Sequence, residues 1–286
     1  MDRERAASGP AEGLRVAVVG SGPAGFYAAD LLLRAGAKVD VFERLPAPFG
    51  LVRYGVAPDH QNIKRAVLAF ERTAEHPNFR YFGNVTVGQV LSVEELLLDY
   101  DQVLLAVGSA GDRKLGIPGE ELAGSVAATA FVGWYNGHPD FIEERFPLDV
   151  ERAVIVGMGN VALDVARVLV RRPAELATTD ITASALEALA QSRVREVVLL
   201  GRRGPAQAAF DQGELADIAG LEGVEVILEG DVPAVGSDLT AAARRKVEYL
   251  ATLPRAPSGR AERLVRLRFF AVPRRILGEE GRVSGV

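Results

Sequence analysis

The sequence predicts an α/β protein that contains two parallel β-sheets, each packed between helices. Two glycine-rich motifs, which begin 137 residues apart at Gly20 and Gly157, each follow an apolar strand-like run and precede a helical pattern. The apolar runs are nearly continuous, as expected for strands of a parallel sheet that is covered on both faces. A chain of 286 residues with 48% hydrophobic residues is long enough for two domains with separate cores.

The first motif is Gly20-Ser-Gly22-Pro-Ala-Gly25. It lies between a predicted strand over 14–20 and a predicted helix over 23–35, which begins with proline and is followed by a glycine. Glycines at this spacing allow a tight turn, close approach of a pyrophosphate and close packing of the helix on the strand. The motif therefore predicts a dinucleotide site in a Rossmann-like domain.

An acidic residue specifies the nucleotide at this first site. A second predicted strand over 38–43 ends at Glu43, which lies 18 residues after Gly25. A carboxylate at about this distance accepts hydrogen bonds from an adenosine ribose and repels a 2′-phosphate. The first site is therefore predicted to bind FAD or NAD and to reject NADP.

The remainder of the first half predicts a loop and further elements of the same sheet. Prolines and glycines among apolar residues indicate an ordered loop over 45–60. The elements predicted after this loop are a helix over 61–75, a strand over 79–82, a helix over 94–100 and a strand over 102–108.

The second motif is Gly157-Met-Gly159-Asn-Val-Ala162, between a predicted strand over 153–157 and a predicted helix over 160–171. The next predicted strand, over 195–201, ends in Gly201-Arg202-Arg203-Gly204. Guanidinium groups bind phosphate through two parallel hydrogen bonds, so paired arginines at this position predict recognition of a 2′-phosphate. The opposite charges at the two strand ends assign FAD to the first site and NADP to the second.

Composition excludes several classes of protein. The chain has no cysteine, which excludes a redox-active dithiol or an iron–sulfur cluster held by this chain. No apolar stretch approaches the roughly 20 residues that span a bilayer, so stable membrane insertion is not expected. Residues 1–13 are predicted to be a disordered tail, and they lack the apolar core of a signal peptide, which makes the cytoplasm the expected location.

The net charge of −5 is unevenly distributed. The window 241–275 contains ten basic and two acidic residues. Such a window suits an acidic partner or a phosphate-bearing cofactor, and equally a solvated helix face with an exposed hairpin. Nucleic-acid binding is not expected because no aromatic residues or binding motif accompany these charges.

Long segments of the chain resemble the adrenodoxin-reductase-type ferredoxin–NADP⁺ reductases. The matching segments are Gly20-Ser-Gly-Pro-Ala-Gly-Phe-Tyr27, Pro48-Phe-Gly-Leu-Val-Arg-Tyr-Gly-Val-Ala-Pro-Asp-His60, Gly83-Asn-Val-Thr-Val-Gly88, Ile117-Pro-Gly-Glu120, Phe131-Val-Gly-Trp-Tyr-Asn136, Gly159-Asn-Val-Ala-Leu-Asp-Val-Ala-Arg167 and Gly201-Arg-Arg-Gly-Pro205.

The resemblance implies hydride transfer from NADPH to FAD, followed by single-electron transfer to a ferredoxin-like iron–sulfur protein. It implies an FAD-binding domain over 14–115 and an NADP-binding domain over 116–286. The residues that it places at FAD, besides the glycines of the first motif, are Ala24, Glu43, Leu51 and Val87. The residues that it places at NADP, besides Gly157 and Gly159, are Asn160, Val161, Arg202 and Arg203. It further places His60 and Glu214 near the reacting rings.

The sequence departs from the family pattern in two places. Around Glu214, Asp211 stands where the family has threonine and Ala216 where it has arginine. An extra acid beside the nicotinamide pocket is expected to weaken NADPH binding or to alter its geometry. The family's C-terminal segment, which completes the FAD domain, is not found before Val286. The resemblance therefore implies a truncated NADP domain and a flavin site that lacks one wall.

Other interpretations remain open on the sequence. The chain could be a non-catalytic nucleotide-binding fragment, or an NADPH-dependent flavin reductase that acts on another acceptor such as a quinone. His60 could only cap the helix over 61–75, Glu214 could be an ordinary acid on a helix face, and Arg202 and Arg203 could be surface charges.

Overall fold

A computed structural model describes residues 9–109, 111–230 and 239–286, which form two compact units. Unit 1 contains the described residues up to Val56 and those from His60 to Gly111, and unit 2 contains 57–59 and the described residues from Asp112 onward. The domain boundary expected at 115/116 stays a prediction. Among the described residues, no helix has both the length and the apolar character needed to cross a membrane.

Unit 1 contains four strands and five helices. The strands are β1 (Arg15–Val19), β2 (Lys38–Phe42), β3 (Phe79–Phe82) and β4 (Gln102–Leu105), and the helices are α1 (Pro23–Arg34), α2 (Gly50–Tyr54), α3 (Gln61–Lys64), α4 (Val67–Ala74) and α5 (Val93–Asp99). All strand pairs are parallel, in the order β3-β2-β1-β4. This arrangement is half of a doubly wound sheet, with the first glycine motif at the carboxyl end of β1.

Side chains of β1 alternate between the two faces of this sheet. Val16 and Val18 join a cluster with residues of α1 and α4, whereas Ala17 and Val19 pack with Leu96 of α5 on the other face. Because both faces are covered, the strand reads as an uninterrupted apolar run. The three-layer arrangement predicted for the first domain is confirmed.

Two segments of unit 1 differ from the sequence-based expectations. The helix expected over 61–75 is divided into α3 and α4, because Ala66, Leu68 and Ala69 donate to carbonyls three residues back and tighten the chain there. Residues 1–8 of the predicted tail lie outside the described residues. Residues 9–13 form a turn that packs on the end of α1, where the Ala11 amide donates to the Ala35 carbonyl at 3.0 Å.

Unit 2 contains a four-stranded parallel sheet and a short antiparallel hairpin. Its strands are β5 (Arg152–Val156), β6 (Glu196–Leu200), β7 (Val224–Glu229), β8 (Arg263–Arg268), β9 (Leu277–Glu279) and β10 (Arg282–Gly285), and its helices are α6 (Ala128–Tyr135), α7 (Asn160–Val170), α8 (Pro173–Leu176), α9 (Ala183–Ala190), α10 (Gln212–Ala219) and α11 (Ala241–Thr252). The parallel sheet has the order β5-β6-β8-β7, and β9 pairs with β10. The second parallel-sheet domain predicted from the sequence is thus confirmed.

The core of unit 2 lies between the sheet and its helices. Val197 and Leu199 of β6 and Val265 and Leu267 of β8 face a cluster that includes most of α7. Trp134 of α6 belongs to the same cluster and is therefore a packing residue of this core. The glycine motif that precedes α7 is therefore fixed on one side by the most deeply buried helix of the unit.

The basic window 241–275 is organised differently from the exposed hairpin considered above. Part of it is β8, a central strand between β6 and β7. Arg266 forms ion pairs with Glu196 and Glu229, and Arg268 also pairs with Glu229. Neighbouring strands therefore neutralise these positive charges within the sheet.

A buried cluster of charges anchors α7. The Arg167 side chain is 2% exposed, and its guanidinium contacts Asp59 through two hydrogen bonds of 2.7 and 3.0 Å. Arg167 also pairs with Asp164 and Glu214, and Arg171 donates to Asp59 at 2.6 Å. Burial by itself would raise the pKa of Asp59, but the two arginines outweigh it and hold that pKa below its usual value.

We expect Asp59→Asn to lower the free energy of unfolding of unit 2 by about 3 kcal/mol at neutral pH. The amide places a neutral group against two guanidiniums, which leaves their charge undercompensated. A carboxyl with a lowered folded-state pKa contributes its stability above the unfolded-state pKa of about 3.9 and loses it as pH falls through the folded-state value. The difference between wild type and variant should therefore shrink below about pH 4.

Urea unfolding followed by the fluorescence of Trp134, the only tryptophan, measures this difference at several pH values. Asp149→Asn is the matched control, because its carboxyl is 69% exposed and lies 3.7 Å from Arg282. An equal loss of stability in both variants, or a loss that does not depend on pH, would contradict the assigned role of Asp59.

Candidate dinucleotide-binding sites

The first glycine motif forms a tight loop between β1 and α1. Gly20 has a φ of 103°, and a Cβ there would lie 2.4 Å from the Ala106 carbonyl oxygen. A Cβ on Gly25 would lie 2.1 Å from the Gly20 carbonyl oxygen, so both positions require glycine. A Cβ on Gly22 would meet nothing within 4 Å, and no acidic residue lies in the first turn of α1. This open, positively polarised end of α1 suits a pyrophosphate.

Glu43 connects the end of β2 to this loop. Its Oε2 atom accepts hydrogen bonds from the Ser21 amide at 2.9 Å and the Ser21 hydroxyl at 2.7 Å. Its Oε1 atom accepts from the Leu45 amide at 3.0 Å. The carboxylate is thereby held beside the glycine loop, where oxygen lone pairs remain for ribose hydroxyls.

The other residues expected at FAD occupy different elements of unit 1. Ala24 is exposed in the first turn of α1, Leu51 is 69% exposed on α2, and Val87 is partly buried beside Leu91. His60 occupies the N-cap position of α3, but its side chain makes no capping hydrogen bond. The capping interpretation of the His60 side chain is therefore wrong.

The second glycine motif likewise connects a strand to a helix, β5 to α7 in unit 2. Gly157 has a φ of 144°, and Cβ atoms added to Gly157 or Gly159 would meet nothing within 4 Å. Val161 is exposed in the first turn of α7, which contains no acidic residue. The N-terminus of α7 therefore presents its amides to open space, as an anion site requires.

Asp211, the departure from the family pattern, has a specific partner in this loop. The Asn160 side-chain amide donates to the Asp211 carboxylate at 3.1 Å, and the Asp211 amide donates to the Asn160 carbonyl oxygen at 2.9 Å. The pair fixes the orientation of Asn160 at the start of α7. The expectation that this acid weakens NADPH binding or alters its geometry stays a prediction.

A cavity of about 200 Å³ opens beside the second motif. Its walls come from 157–159, 201–204, 207–209 and Phe269. Arg202 and Arg203 are exposed at its rim, at the carboxyl end of β6. Within the part of the chain that the structure describes, neither guanidinium forms an ion pair with a carboxylate, so both can bind an anion.

Lys246 on α11 supports one wall of this cavity, a role that the sequence does not indicate. Its Nζ atom donates to the Ala208 carbonyl oxygen at 2.5 Å and lies 5.2 Å from the centre of the Phe210 ring. Burial lowers the pKa of Lys246. In the sequence, Lys246 is one of ten basic residues of the window 241–275. No motif near Lys246 indicates a contact with Ala208, which lies 38 residues away.

Glu214 lies in the first turn of α10, and its side chain is 18% exposed. Its Oε2 atom accepts a hydrogen bond from Arg167 at 3.2 Å. Glu214 thus belongs to the charge cluster that anchors α7, which the sequence did not indicate. The placement of Glu214 near the reacting rings stays a prediction.

Two parallel sheets, each with a glycine loop at its carboxyl edge, define the chain as a protein with two dinucleotide-type sites. Residues 14–238 match the family described as pyridine nucleotide-disulphide oxidoreductases. The chain belongs to this family. It carries no cysteine, so it supplies no dithiol for disulphide chemistry.

Similar proteins are named as ferredoxin and adrenodoxin reductases. The chain is 51% identical over 282 residues to a probable ferredoxin/ferredoxin–NADP reductase of Mycobacterium bovis, covering 96% of this chain and 48% of that protein. It is 46% identical to the mitochondrial NADPH:adrenodoxin oxidoreductase of Arabidopsis thaliana, covering 96% and 60%. The chain therefore spans about half of the first relative's length. The resemblance inferred from the sequence motifs is confirmed.

A solved structure shows the same fold. Mycobacterium tuberculosis FprA in complex with NADPH superposes with a TM-score of 0.88 at 43% identity, covering 96% of this chain and 66% of that one. The predicted α/β fold class, with Rossmann-like dinucleotide-binding domains, is thereby confirmed.

Gly25→Ala and Gly22→Ala should affect the stability of unit 1 differently. The Cβ added at Gly25 collides with a backbone oxygen, which cannot move without displacing β1 or α1. We expect a loss of about 2–3 kcal/mol, the range for overpacking a closely packed site. At Gly22 the φ of −75° and the open space predict a change within about 0.5 kcal/mol. Thermal unfolding without ligand compares the two, and equal losses would contradict this account of the loop.

Proposed function

We propose that the chain binds FAD in unit 1 and NADPH in unit 2, and that it acts as an NADPH–ferredoxin reductase. The observation that carries this proposal is the contrast between the strand ends that follow the two glycine loops. Glu43 directly follows β2, whereas Arg202 and Arg203 follow the end of β6 at Leu200. A carboxylate accepts from ribose hydroxyls and repels a 2′-phosphate, and guanidiniums attract that phosphate.

The residues of unit 1 fit FAD. The loop 20–25 and the N-terminus of α1 would receive the pyrophosphate, and Glu43 would receive the adenosine ribose. Ala24, Leu51 and Val87 are the further FAD contacts that we propose from the family resemblance. When bound, FAD accepts a hydride from NADPH and passes the electrons singly to an iron–sulfur protein.

The residues of unit 2 fit NADPH. The loop 157–159 and the first residues of α7, Asn160 and Val161, would bind its pyrophosphate. Arg202 and Arg203 would bind the 2′-phosphate at the rim of the cavity. The relative of known structure is described as a complex with NADPH, which supports this half of the proposal.

We infer roles for His60 and Glu214 in positioning the reacting rings. The resemblance places both near the site of hydride transfer. Glu214 is held by Arg167, which is fixed in turn by Asp59, the residue that directly precedes His60 in the chain.

An acidic iron–sulfur protein is the proposed electron acceptor. Within the basic window, Arg263 donates to carbonyls at the end of α7, and Arg266, Arg268 and Lys246 have the partners described above. The remaining basic residues, of which all but the half-buried Arg244 are exposed, are Arg244, Arg245, Arg255, Arg260, Arg274 and Arg275. These side chains carry the positive charge that would attract an acidic surface.

The direct test is a visible absorbance spectrum of the purified chain with added FAD, followed by addition of NADPH. The proposal requires a protein-bound flavin band that bleaches with NADPH and recovers when ferredoxin is added. A protein that binds NADPH but retains no flavin would favour the alternative of a non-catalytic nucleotide-binding fragment. Bleaching that is reversed by a quinone but not by ferredoxin would favour a flavin reductase with another acceptor.

Arg202→Ala combined with Arg203→Ala should shift cofactor preference from NADPH toward NADH. Each lost charge-assisted hydrogen bond contributes about 1.5–3 kcal/mol, so NADPH affinity should fall by about one to two orders of magnitude per arginine. NADH affinity should change little, because NADH lacks the 2′-phosphate. Arg193→Ala is the matched control, since its side chain is 66% exposed in the same unit.

Isothermal titration with NADP⁺ and NAD⁺ measures this preference. An unchanged ratio of the two affinities in the double variant would show that the phosphate binds elsewhere.

A further inference from the structure

The order of strands in unit 2 predicts where the adenine of a bound NADPH lies. The glycine loop follows β5, the two arginines follow β6, and the next strand in the sheet is β8. Neighbouring strands are about 4.8 Å apart, and nucleotides bind across the carboxyl ends of parallel strands. A nucleotide with its pyrophosphate at β5 and its 2′-phosphate at β6 therefore directs its base toward the end of β8.

The chain that leaves β8 presents an aromatic ring at this position. Phe270 follows the strand end at Arg268 by two residues, and it is 61% exposed. Its φ of 56° lies in the left-handed region, which bulky side chains rarely adopt. Backbone strain of this kind persists where surrounding contacts enforce it, and it concentrates at functional sites.

Contacts with the arginine loop enforce this conformation. The Phe270 amide donates to the Arg203 carbonyl at 3.3 Å, and the Ala271 amide donates to the Gly201 carbonyl at 3.0 Å. A Cβ on Gly204 would lie 2.7 Å from the end of the Phe270 ring, so the ring rests directly against this glycine. The ring is thus attached to the loop that carries both arginines.

The two adjacent phenylalanines differ in environment. Phe269 is 9% exposed and lines the cavity, and a Cβ on Gly201 would lie 3.1 Å from its ring. Most of the Phe270 side chain is exposed to solvent, so burial in the core contributes little to holding it in this position. The exposure of the Phe270 ring, its strained backbone and its attachment to the loop 201–204, which carries both arginines, together indicate a ligand contact.

We propose that Phe270 recognises the adenine of NADPH by stacking its ring against the purine. This proposal rests on the NADPH site proposed above and assigns a base-binding residue to it. Stacking tolerates different bases but requires a flat π-face, so Phe270 contributes affinity for the adenosine end of the cofactor. The guanidiniums of Arg202 and Arg203 contribute the selectivity for the 2′-phosphate.

The experiment compares variants of Phe270 by calorimetric titration with 2′,5′-ADP, which contains the adenine and the 2′-phosphate but no nicotinamide. Phe270→Gly removes the ring and accepts the positive φ without strain, so the fold should be retained. We expect it to weaken 2′,5′-ADP and NADP⁺ binding by the same factor, about tenfold. Phe270→Tyr keeps the π-face and should bind as wild type does, whereas Phe270→Leu keeps apolar bulk alone and should behave as Phe270→Gly does.

Val272→Ala is the control, because Val272 is 47% exposed on the same segment and follows Phe270 by two residues. Wild-type affinity in Phe270→Gly, or equal affinities of the Tyr and Leu variants, would overturn the stacking proposal while leaving the NADPH site in place. Failure of the wild-type chain to bind 2′,5′-ADP would overturn the NADPH site itself. If Phe270→Gly unfolds, the affinities of Phe270→Tyr and Phe270→Leu for 2′,5′-ADP still test the stacking proposal.

Discussion

Close backbone approach at the glycine loop between β1 and α1 is the constraint on which the candidate site of unit 1 depends. In unit 1, the Cα of Gly25 lies so near the Gly20 carbonyl that no side chain fits between them. This proximity allows α1 to begin directly after β1 with its first amides facing open space. The same loop brings the Ser21 amide and hydroxyl within reach of Glu43. The proposed pyrophosphate site and the proposed ribose site beside it therefore both depend on a contact that leaves no room for a Cβ atom on Gly25.

Much of this arrangement can be predicted from the sequence because its signals are local. Glycine spacing, the apolar run before it and the charge at the end of the next strand lie within a few tens of residues. They predict β1, α1 and β2 in unit 1, and β5, α7 and β6 in unit 2, with small errors at the ends. The placement of Glu43 beside the loop follows from the same pattern, because parallel neighbouring strands end at the same edge.

The features that the sequence does not reveal depend on contacts between distant segments. The arginines of β8 are interspersed with apolar residues, a pattern that is typical of an exposed hairpin. The sequence does not show that they are neutralised, because the carboxylates that pair with Arg266 lie 37 and 70 residues away. The sequence shows Asp59 only as the residue before a histidine, although its partner Arg167 is 108 residues further on. The proposed role of Phe270 likewise cannot be predicted from the sequence, because it depends on contacts with the distant loop 201–204.

The segment 57–59 has a consequence for the modularity of the chain. These three residues pack with unit 2, although the chain on either side of them belongs to unit 1. A unit 2 produced as residues 112–286 would lack Asp59 and would retain Arg167 as a buried cation without its two-point partner. Recombination between related proteins at the 111/112 junction therefore preserves this pairing only if both parents carry the aspartate. The ion pair between Asp59 and Arg167 thus requires that residues 57–59 and the segment that contains α7 stay matched, although they are 108 residues apart in the chain.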